Sequence, residues 1–596
     1  MFQTFEVTAR PEQGPPRLAA LRREMSANGL AGFLVPRADV HQGEYVAPRD
    51  ERLAWLTGFT GSAGFCAVLG EKAGVFIDGR YRTQVKSQVA ADFTPVPWPE
   101  VGLADWLKAE LPEGASVGFD PWLHTAGQIE ALRDAVEEHG ITLSEQSNLV
   151  DRIWEHQPDP PLSVVRAHPI EFAGETHAEK RKRLADELAD AGRHAALITL
   201  PDSLCWLLNI RGSDIPRNPV AHGFCVLQAD GHVHVFMDKR KLTELDDHFG
   251  DGVTVHEPDA LTIFLDNIEG PVQIEKSSVP FALAEILGKK AVWGEDPCAL
   301  PKARKNAAEI EGTAKAHLRD GAAVVELLAW FDQQAPGSVT EIEMVQQLEA
   351  CRRADNALRD ISFETIAGAG PNGAIMHYRV TEETNSVLQE GQLIVLDSGG
   401  QYLDGTTDIT RTLPVGTPPR DAAEAFTRVL QGMIGMSRLR WPVGLAGRDI
   451  EAIARVPLWL AGQDFNHGVG HGVGAYFSVH EGPQRLSRLS TVPLEAGMIL
   501  SNEPGYYREG AFGIRIENLI VVEDAAALPG GDAERAMLQW RTLTFVPINK
   551  RLIVPDMLTE PERAWLNSYH AEVRDKIAPR VSDATRTWLE AATSPI

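Results

Sequence analysis

The stretch LIVLDSGGQYLDGTTDITRTL (residues 393–413) decides how this chain is read. LIVL is an apolar run suited to a buried strand, and Asp397 stands at its C-terminal end, just before Ser398-Gly399-Gly400. Asp404-Gly405 supplies turn chemistry, so the chain returns as a second strand that carries Asp408. Asp397 and Asp408 can then face one another across a hairpin, where two carboxylates are able to share cations.

Working outward, three more groups complete a set. They are His471 in FNHGVGHGVG, Glu503 in ILSNEPGYY and Glu517 in FGIRIENLIVV. His467 and His471 have the spacing of paired zinc ligands on a helix, but HGVGHGVG is too rich in glycine for one and lacks the glutamate. An extended loop is expected, with one histidine on the metal and the other facing substrate. A turn at Glu495-Ala496-Gly497 starts the strand that delivers Glu503. GIRIENLIVV reads as a strand whose alternation puts Arg515 and Glu517 on one face.

Four carboxylates carry four negative charges, which two divalent cations cancel. Without cations their approach is repulsive, and some must stay protonated. Any one of these acids alone is an ordinary strand-end or turn residue. The five together point to a two-metal hydrolase. Hard oxygen donors with one imidazole favour manganese or cobalt, and zinc or iron is also compatible. Two ions about 3.5–4 Å apart hold a bridging water, lower its pKa and polarise a substrate carbonyl.

At 596 residues the chain exceeds a single core, and a composition of 43% hydrophobic and 23% charged is that of a soluble globular protein. The net charge of −26 excludes the basic footprint that nucleic-acid binding needs. The five cysteines are scattered, with no CxxC pair, which fits a reducing compartment. The N-terminus lacks the apolar core of a signal peptide, and no run of about eighteen apolar residues suggests a membrane span. A cytoplasmic protein without a membrane partner is expected.

Two proline-bearing breaks, HQPDPPLS (156–163) and WGEDPCALPKARKN (293–306), divide the chain into 1–158, 159–303 and 304–596. After the second break, AAEIEGTAKAHLRDGAAVVELLAWF suits a long amphipathic helix. The first two segments read as diverged copies. Each opens with an amphipathic helix that leads into a short apolar strand, AGFLVP or AALITLP. Then Trp55-Leu56 parallels Trp206-Leu207, Gly64-Phe65-Cys66 parallels Gly223-Phe224-Cys225, and VFIDGR parallels VFMDKR. Such alternation indicates α/β domains, here a scaffold or gate rather than a second active site. His232 and His234 alternate in GHVHVFMD and share a strand face, but with no third ligand nearby in sequence they read as a solvent-facing edge.

The motifs NGAIMHYR, LDSGGQYLDGTTDITRT, GHGVGAYFSVHEGP, SNEPGYY and GIRIENL, with the tail TLTFVPINKRLIVPDMLTEPERAWLNSYH, carry a resemblance over nearly the whole chain. It resembles the pita-bread metallopeptidases, and more narrowly the three-domain cytosolic Xaa-Pro aminopeptidases (aminopeptidase P). The resemblance implies an α/β (α+β) protein, with two creatinase-like α/β domains at 1–158 and 159–303. A pita-bread catalytic domain with a C-terminal extension would follow at 304–596. It makes Asp397, Asp408, His471, Glu503 and Glu517 the ligands of two divalent ions, most simply manganese. Asp408 and Glu517 would do most of the bridging, and Glu503 would relay the proton of the nucleophilic bridging water.

The resemblance also places His377, His467 and His480 around the substrate. His377 and His480 would act in catalysis by hydrogen-bonding the scissile peptide and the oxyanion, and His467 would shape the proline pocket. Arg515 would bind beside the metal carboxylates, Asp397 would lie near the substrate amino group, and the protein would be a homodimer. The reaction implied is removal of the first residue from peptides with proline second. Two alternatives stand beside it. Prolidase shares the fold and ligands but cuts dipeptides and typically has one fewer amino-terminal domain. A metal-free binding module of the same fold would be expected to have lost ligands from the cage, and all five are present.

Overall fold

The computed structural model describes every residue except Asp246 and Ala533. The chain forms two compact units. One comprises Thr8–Ile170 with Glu175–Leu300, and the other Met1–Val7, Glu171–Gly174 and Pro301–Ile596.

The first unit holds two six-stranded sheets of one topology. In chain order the first sheet has strands Gly32–Pro36, Phe65–Leu69, Ala73–Ile77, Thr94–Pro97, Ser116–Phe119 and Thr142–Glu145. They lie side by side in the order fourth, third, second, first, fifth, sixth. The second sheet repeats that order with Ala195–Ile198, Phe224–Gln228, Val233–Phe236, Val253–His256, Val272–Ile274 and Ala291–Trp293. Strand directions also repeat. The first three strands of each pair antiparallel, and the remaining neighbours are parallel. The internal copy seen in the sequence is therefore a copy of a whole sheet.

Alternation explains how each strand serves two cores. Phe33 and Val35 pack into one apolar cluster with Leu18, Leu21 and Met25 of the helix Gly14–Ala27. Leu34, between them, packs with Phe76, Phe119 and Ile129 on the other face. The helices start where capping boxes permit. Thr125 with Gln128 opens Ala126–Val136, and Thr176 with Glu179 opens His177–Asp190.

In the second unit, Asn306 and Glu309 form the capping box of Ala307–Phe331, the long helix expected from its apolar spacing. A three-stranded antiparallel sheet of Ile366–Ala369, Leu393–Ser398 and Ile409–Pro414 holds the hairpin read from the sequence. Its loop contains a smaller hairpin, in which Tyr402 pairs with Gly405. A six-stranded antiparallel sheet runs Arg440–Pro442, Met537–Thr542, Asn518–Asp524, Ile499–Asn502, Gly470–Gly472, Glu481–Leu486. Helices Arg420–Ser437 and Ala452–Trp459 cross closely at Gly432, where a methyl group would strike the carbonyl oxygen of Ala454.

One expectation needs correction. GIRIENLIVV is not a single strand: it breaks at Ile516-Glu517 into Phe512–Arg515 and Asn518–Asp524, which belong to different sheets. At the break the Ile516 amide donates to the Pro504 carbonyl and the Glu517 amide to that of Thr410. Glu517 therefore sits at a change of sheet, where its side chain can reach the Asp397–Asp408 hairpin.

The C-terminal extension is tied to that hairpin by a buried arginine. Arg411 donates to the carbonyls of Glu517, Val546 and Pro547, to Asn518 Oδ1, and to the Tyr569 hydroxyl at 3.0 Å. The Tyr569 oxygen also accepts from the Val546 amide at 3.2 Å. Tyr569→Phe should lower stability by about 1–3 kcal/mol, the cost of leaving buried groups unpaired. A shift in the thermal unfolding midpoint of the purified protein measures it, and an unchanged midpoint would refute the hub role.

Candidate metal centre

Asp397 pairs with Thr410 across the hairpin, so Asp408, two residues before Thr410, lies diagonally opposite Asp397 on the same face. The approach depends on Gly399, where a methyl group would strike the Thr407 carbonyl oxygen. The third carboxylate, Glu517, is fully buried and accepts from Thr410 Oγ1 at 2.9 Å. Asp408, His471 and Glu517 offer ligand atoms that all lie within 4.8 Å of one another. His471 Nε2 is 3.5 Å from Asp408 Oδ2 and 3.5 Å from Glu503 Oε1. The five residues read from the sequence thus gather in one place, with Arg515 bridging to Asp397.

The tautomer of His471 follows from its neighbours. Nδ1 lies 3.0 Å from the Gly472 carbonyl, which can only accept, so Nδ1 carries the hydrogen and Nε2 keeps its lone pair facing the carboxylates. Each of three carboxylates keeps one buried oxygen without a hydrogen-bond partner: Asp397 Oδ1, Asp408 Oδ1 and Glu517 Oε1. Two of the other oxygens are held, Asp397 Oδ2 by Arg515 Nη2 at 2.6 Å and Glu517 Oε2 by Thr410. Buried carboxylate oxygens are expensive to leave bare. Oxygens left bare together beside an imidazole lone pair fit divalent cations.

Electrostatics agree. Burial, then the charges of Asp397 and Glu503, push the Asp408 carboxyl well above the usual carboxylate range. Burial and Asp408 do the same to Glu517. Glu503 is pushed up to about 7 by burial and then by Glu517. Burial opposes the Arg515 charge, yet Tyr507, Asp397 and Glu503 around it hold the guanidinium protonated.

His480 stacks edge-on against His471, with ring centroids 4.2 Å apart. His377 follows Met376, whose carbonyl accepts from Arg515 Nη2 at 3.4 Å, so its loop reaches the same arginine. His467 stands in a bend before the Gly470–Gly472 strand, not on a helix. Its Nδ1 donates to the Gly468 carbonyl, so its Nε2 accepts from the Tyr507 hydroxyl at 2.9 Å. Arg515 Nη1 donates to the same hydroxyl oxygen at 2.6 Å. A continuous chain, His467–Tyr507–Arg515–Asp397, thus links an expected substrate residue to an expected metal ligand.

Several positioning groups escaped the sequence reading. Tyr507 lay inside the quoted SNEPGYY motif, yet nothing in its spacing tied it to His467. Asp320, on the long helix, accepts from Arg352, the Tyr402 hydroxyl and the Thr407 hydroxyl. Arg352 Nη2 also donates to Ser398 Oγ at 3.0 Å. The neighbours of Asp397 and Asp408, Ser398 and Thr407, are therefore pinned to one buried ion pair. Glu341, likewise buried, accepts from the Ala369 and Ser386 amides and the Tyr378 hydroxyl, and so clamps the loop that bears His377. Glu481, next to His480, pairs with Lys305 and, at 3.1 Å, with Lys302.

Arg352→Met should unfold or strongly destabilise the second unit, because it leaves Asp320 buried without its counter-charge, a loss of about 3–5 kcal/mol. Metal content should fall with it. Calorimetry and elemental analysis of the variant test this, and a wild-type unfolding temperature with full metal loading would contradict it.

With the geometry in hand, comparison with known proteins is informative. The sequence pattern of metallopeptidase family M24 matches residues 311–524, and that of the C-terminal region of peptidase M24 matches 536–596. Two creatinase/prolidase N-terminal domain patterns match 17–153 and 156–309. Aminopeptidase P2 of Arabidopsis thaliana is 35% identical over 97% of this chain and 88% of its own length. A probable Xaa-Pro aminopeptidase P of Laccaria bicolor is 37% identical, covering 97% and 93%. In structure, the X-prolyl aminopeptidase of Caenorhabditis elegans, described as a cytosolic enzyme with a di-nuclear active site, aligns with a TM-score of 0.93. It is 33% identical and covers 98% of this chain and 99% of its own. Dipeptidase PepE of Mycobacterium ulcerans, 27% identical with a TM-score of 0.51, covers 62% of this chain. From its leading creatinase/prolidase domains to its C-terminal region, the chain belongs to metallopeptidase family M24.

Proposed function

We propose that this chain is an Xaa-Pro aminopeptidase, which hydrolyses the bond between the first residue of a peptide and a proline in second place. The observation that carries the reading is the set of three buried carboxylate oxygens left bare around the His471 lone pair. Full-length likeness to X-prolyl aminopeptidases supports the substrate class. The reading is preferred to prolidase because the chain resembles X-prolyl aminopeptidases over nearly its whole length, 98% of it in the worm enzyme.

In this reading Asp397, Asp408, His471, Glu503 and Glu517 hold two divalent ions, with manganese the best match to mostly oxygen donors. When bound, the ions supply Lewis acidity to a water and to the scissile carbonyl. Glu503 is the most exposed of the four carboxylates, its side chain 17% accessible against 11%, 5% and 0% for Asp397, Asp408 and Glu517. It is therefore the acid placed to take the water's proton and return it to the departing proline nitrogen. His377 and His480 donate hydrogen bonds to the scissile peptide and its developing oxyanion.

His467 uses both ring nitrogens, on Gly468 and Tyr507, so it offers substrate a ring edge rather than a proton. That suits a wall for the proline ring, which has no N–H to recognise. Arg515 fixes Asp397 Oδ2 and leaves Oδ1 for a cation or the substrate amino group. We also propose the domain division 1–158, 159–303 and 304–596, a homodimer, and a cytoplasmic location like that of the worm enzyme. Among the described residues no helix is long and apolar enough to cross a membrane.

Chelator-stripped protein should release arginine from Arg-Pro-Pro only after manganese is added, with little cleavage of the Arg-Pro dipeptide. Preference for the dipeptide would move the assignment to prolidase, and inactivity of a folded protein that binds no metal would favour a binding module. Metal removal should also expose the raised carboxyl pKa values. The folded state then binds more protons than the unfolded one, so stability is retained at low pH and lost as pH rises from about 4.5 through about 7. Unfolding temperatures across that window should fall in the stripped protein relative to the manganese-loaded one. Parallel curves would contradict the cage.

A further inference from the structure

His467 stands on an irregular stretch, residues 463–469, between the helix Ala452–Trp459 and the strand Gly470–Gly472. A wall of a substrate pocket has to keep its place closely, and a stretch outside helix and sheet has no ladder of its own to hold it. The hold comes from Arg455, a buried residue of that helix.

Arg455 Nη2 donates to the His467 carbonyl at 2.7 Å. Its Nη1 donates to the Phe465 carbonyl and to Asp464 Oδ1, both at 2.8 Å. Nε donates to Glu451 Oε2 at 2.6 Å, one turn back along the chain. The guanidinium carbon lies 4.0 Å from the centre of the Phe465 ring, and that ring lies 4.7 Å from the imidazole of His467. The same imidazole meets Tyr507, with ring centroids 5.5 Å apart and Nε2 2.9 Å from the hydroxyl. Three acceptors within four residues thus end on one planar cation. A lysine ammonium, a single point of charge, cannot match that fork.

The anchor itself is firm, because Ala454 beside Arg455 makes the close helix crossing at Gly432. A second arginine, Arg488, reaches the other oxygens of the same acids, Glu451 Oε1 at 3.5 Å and Asp464 Oδ2 at 3.1 Å. Its side chain is 60% accessible, so water screens those pairs. An arginine that only completed a buried ion pair would need Glu451 alone. Donors spent on two carbonyls of the His467 stretch serve that stretch.

We propose that Arg455 is a positioning residue for substrate. Through the Phe465 and His467 carbonyls it sets the imidazole wall against which a proline ring in second place packs, and with it the preference for proline there. This role rests on the Xaa-Pro aminopeptidase reading of the same site. Arg455 touches no reacting atom, so its loss weakens binding of substrate and transition state alike, which raises KM and spares kcat.

The test compares manganese-loaded wild type with Arg455→Lys, which keeps a charge beside Glu451 and gives up the fork. KM for Arg-Pro-Pro should rise about tenfold, with kcat changed less than about threefold. Arg-Ala-Pro, added as a competitor, should inhibit both proteins equally. Equal weakening of the two peptides, the mark of a merely structural role, or an unchanged KM would overturn the proposal. Arg488→Ala should leave KM as it is, and a rise equal to that of Arg455→Lys would also overturn it. If the lysine variant does not fold, Glu451→Gln/Arg455→Gln, which strands no charge between the two, takes its place with the same expected outcomes. Crystal structures of wild type and variant judge Arg455 without turnover. The His467 ring should leave Tyr507 in the variant, and a contact kept at 2.9 Å would overturn the role. Wild type that cleaves no Arg-Pro-Pro would defeat the aminopeptidase reading, while the crystal structures would still decide whether Arg455 places His467.

Discussion

Everything in the catalytic unit is subordinate to one electrostatic problem, the burial of Asp397, Asp408, Glu503 and Glu517 around a single imidazole. Such a cluster is unstable in a dry interior unless each oxygen finds a proton, a donor or a cation. The fold answers oxygen by oxygen. Arg515 takes one side of Asp397, Thr410 takes one side of Glu517, and the Gly472 carbonyl turns the His471 lone pair inward. The oxygens left over define where cations belong, and with them where chemistry can occur.

The supports around the cluster divide the work. Gly399 lets the hairpin close, and the buried Asp320–Arg352 pair reaches Ser398 and Thr407, the residues flanking Asp397 and Asp408. Arg411 ties the same hairpin to the C-terminal extension through Val546, Pro547 and Tyr569. The extension is thus a structural part of the site rather than an appendage. The first residues of the chain play a similar part: the Phe2 amide donates to Glu349, and Gln3 exchanges hydrogen bonds with the Thr365 backbone.

The first unit shows a different economy. One six-stranded topology was used twice, and the second copy acquired a row of histidines, His232, His234 and His256, where the first has none at the matching strand, AGVFI. That row rests on two parallel strands whose residues are 22 positions apart, so no window of sequence presents it as a unit.

The sequence by itself determined the main elements and the candidate site residues. Apolar runs ending in acidic residues and glycine-rich turns are local signals, and they placed Asp397 near the end of a buried strand and Asp408 beside the returning one. The duplication was legible for the same reason, since matched motifs recur in matched order. Only the tertiary structure decided that Glu517 sits at a change of sheet, that Tyr507 joins His467 to Arg515, and that Asp320, Arg352 and Glu341 hold the site from outside. These contacts join residues far apart along the chain, and a long-range pairing leaves no periodicity for a local reading to find.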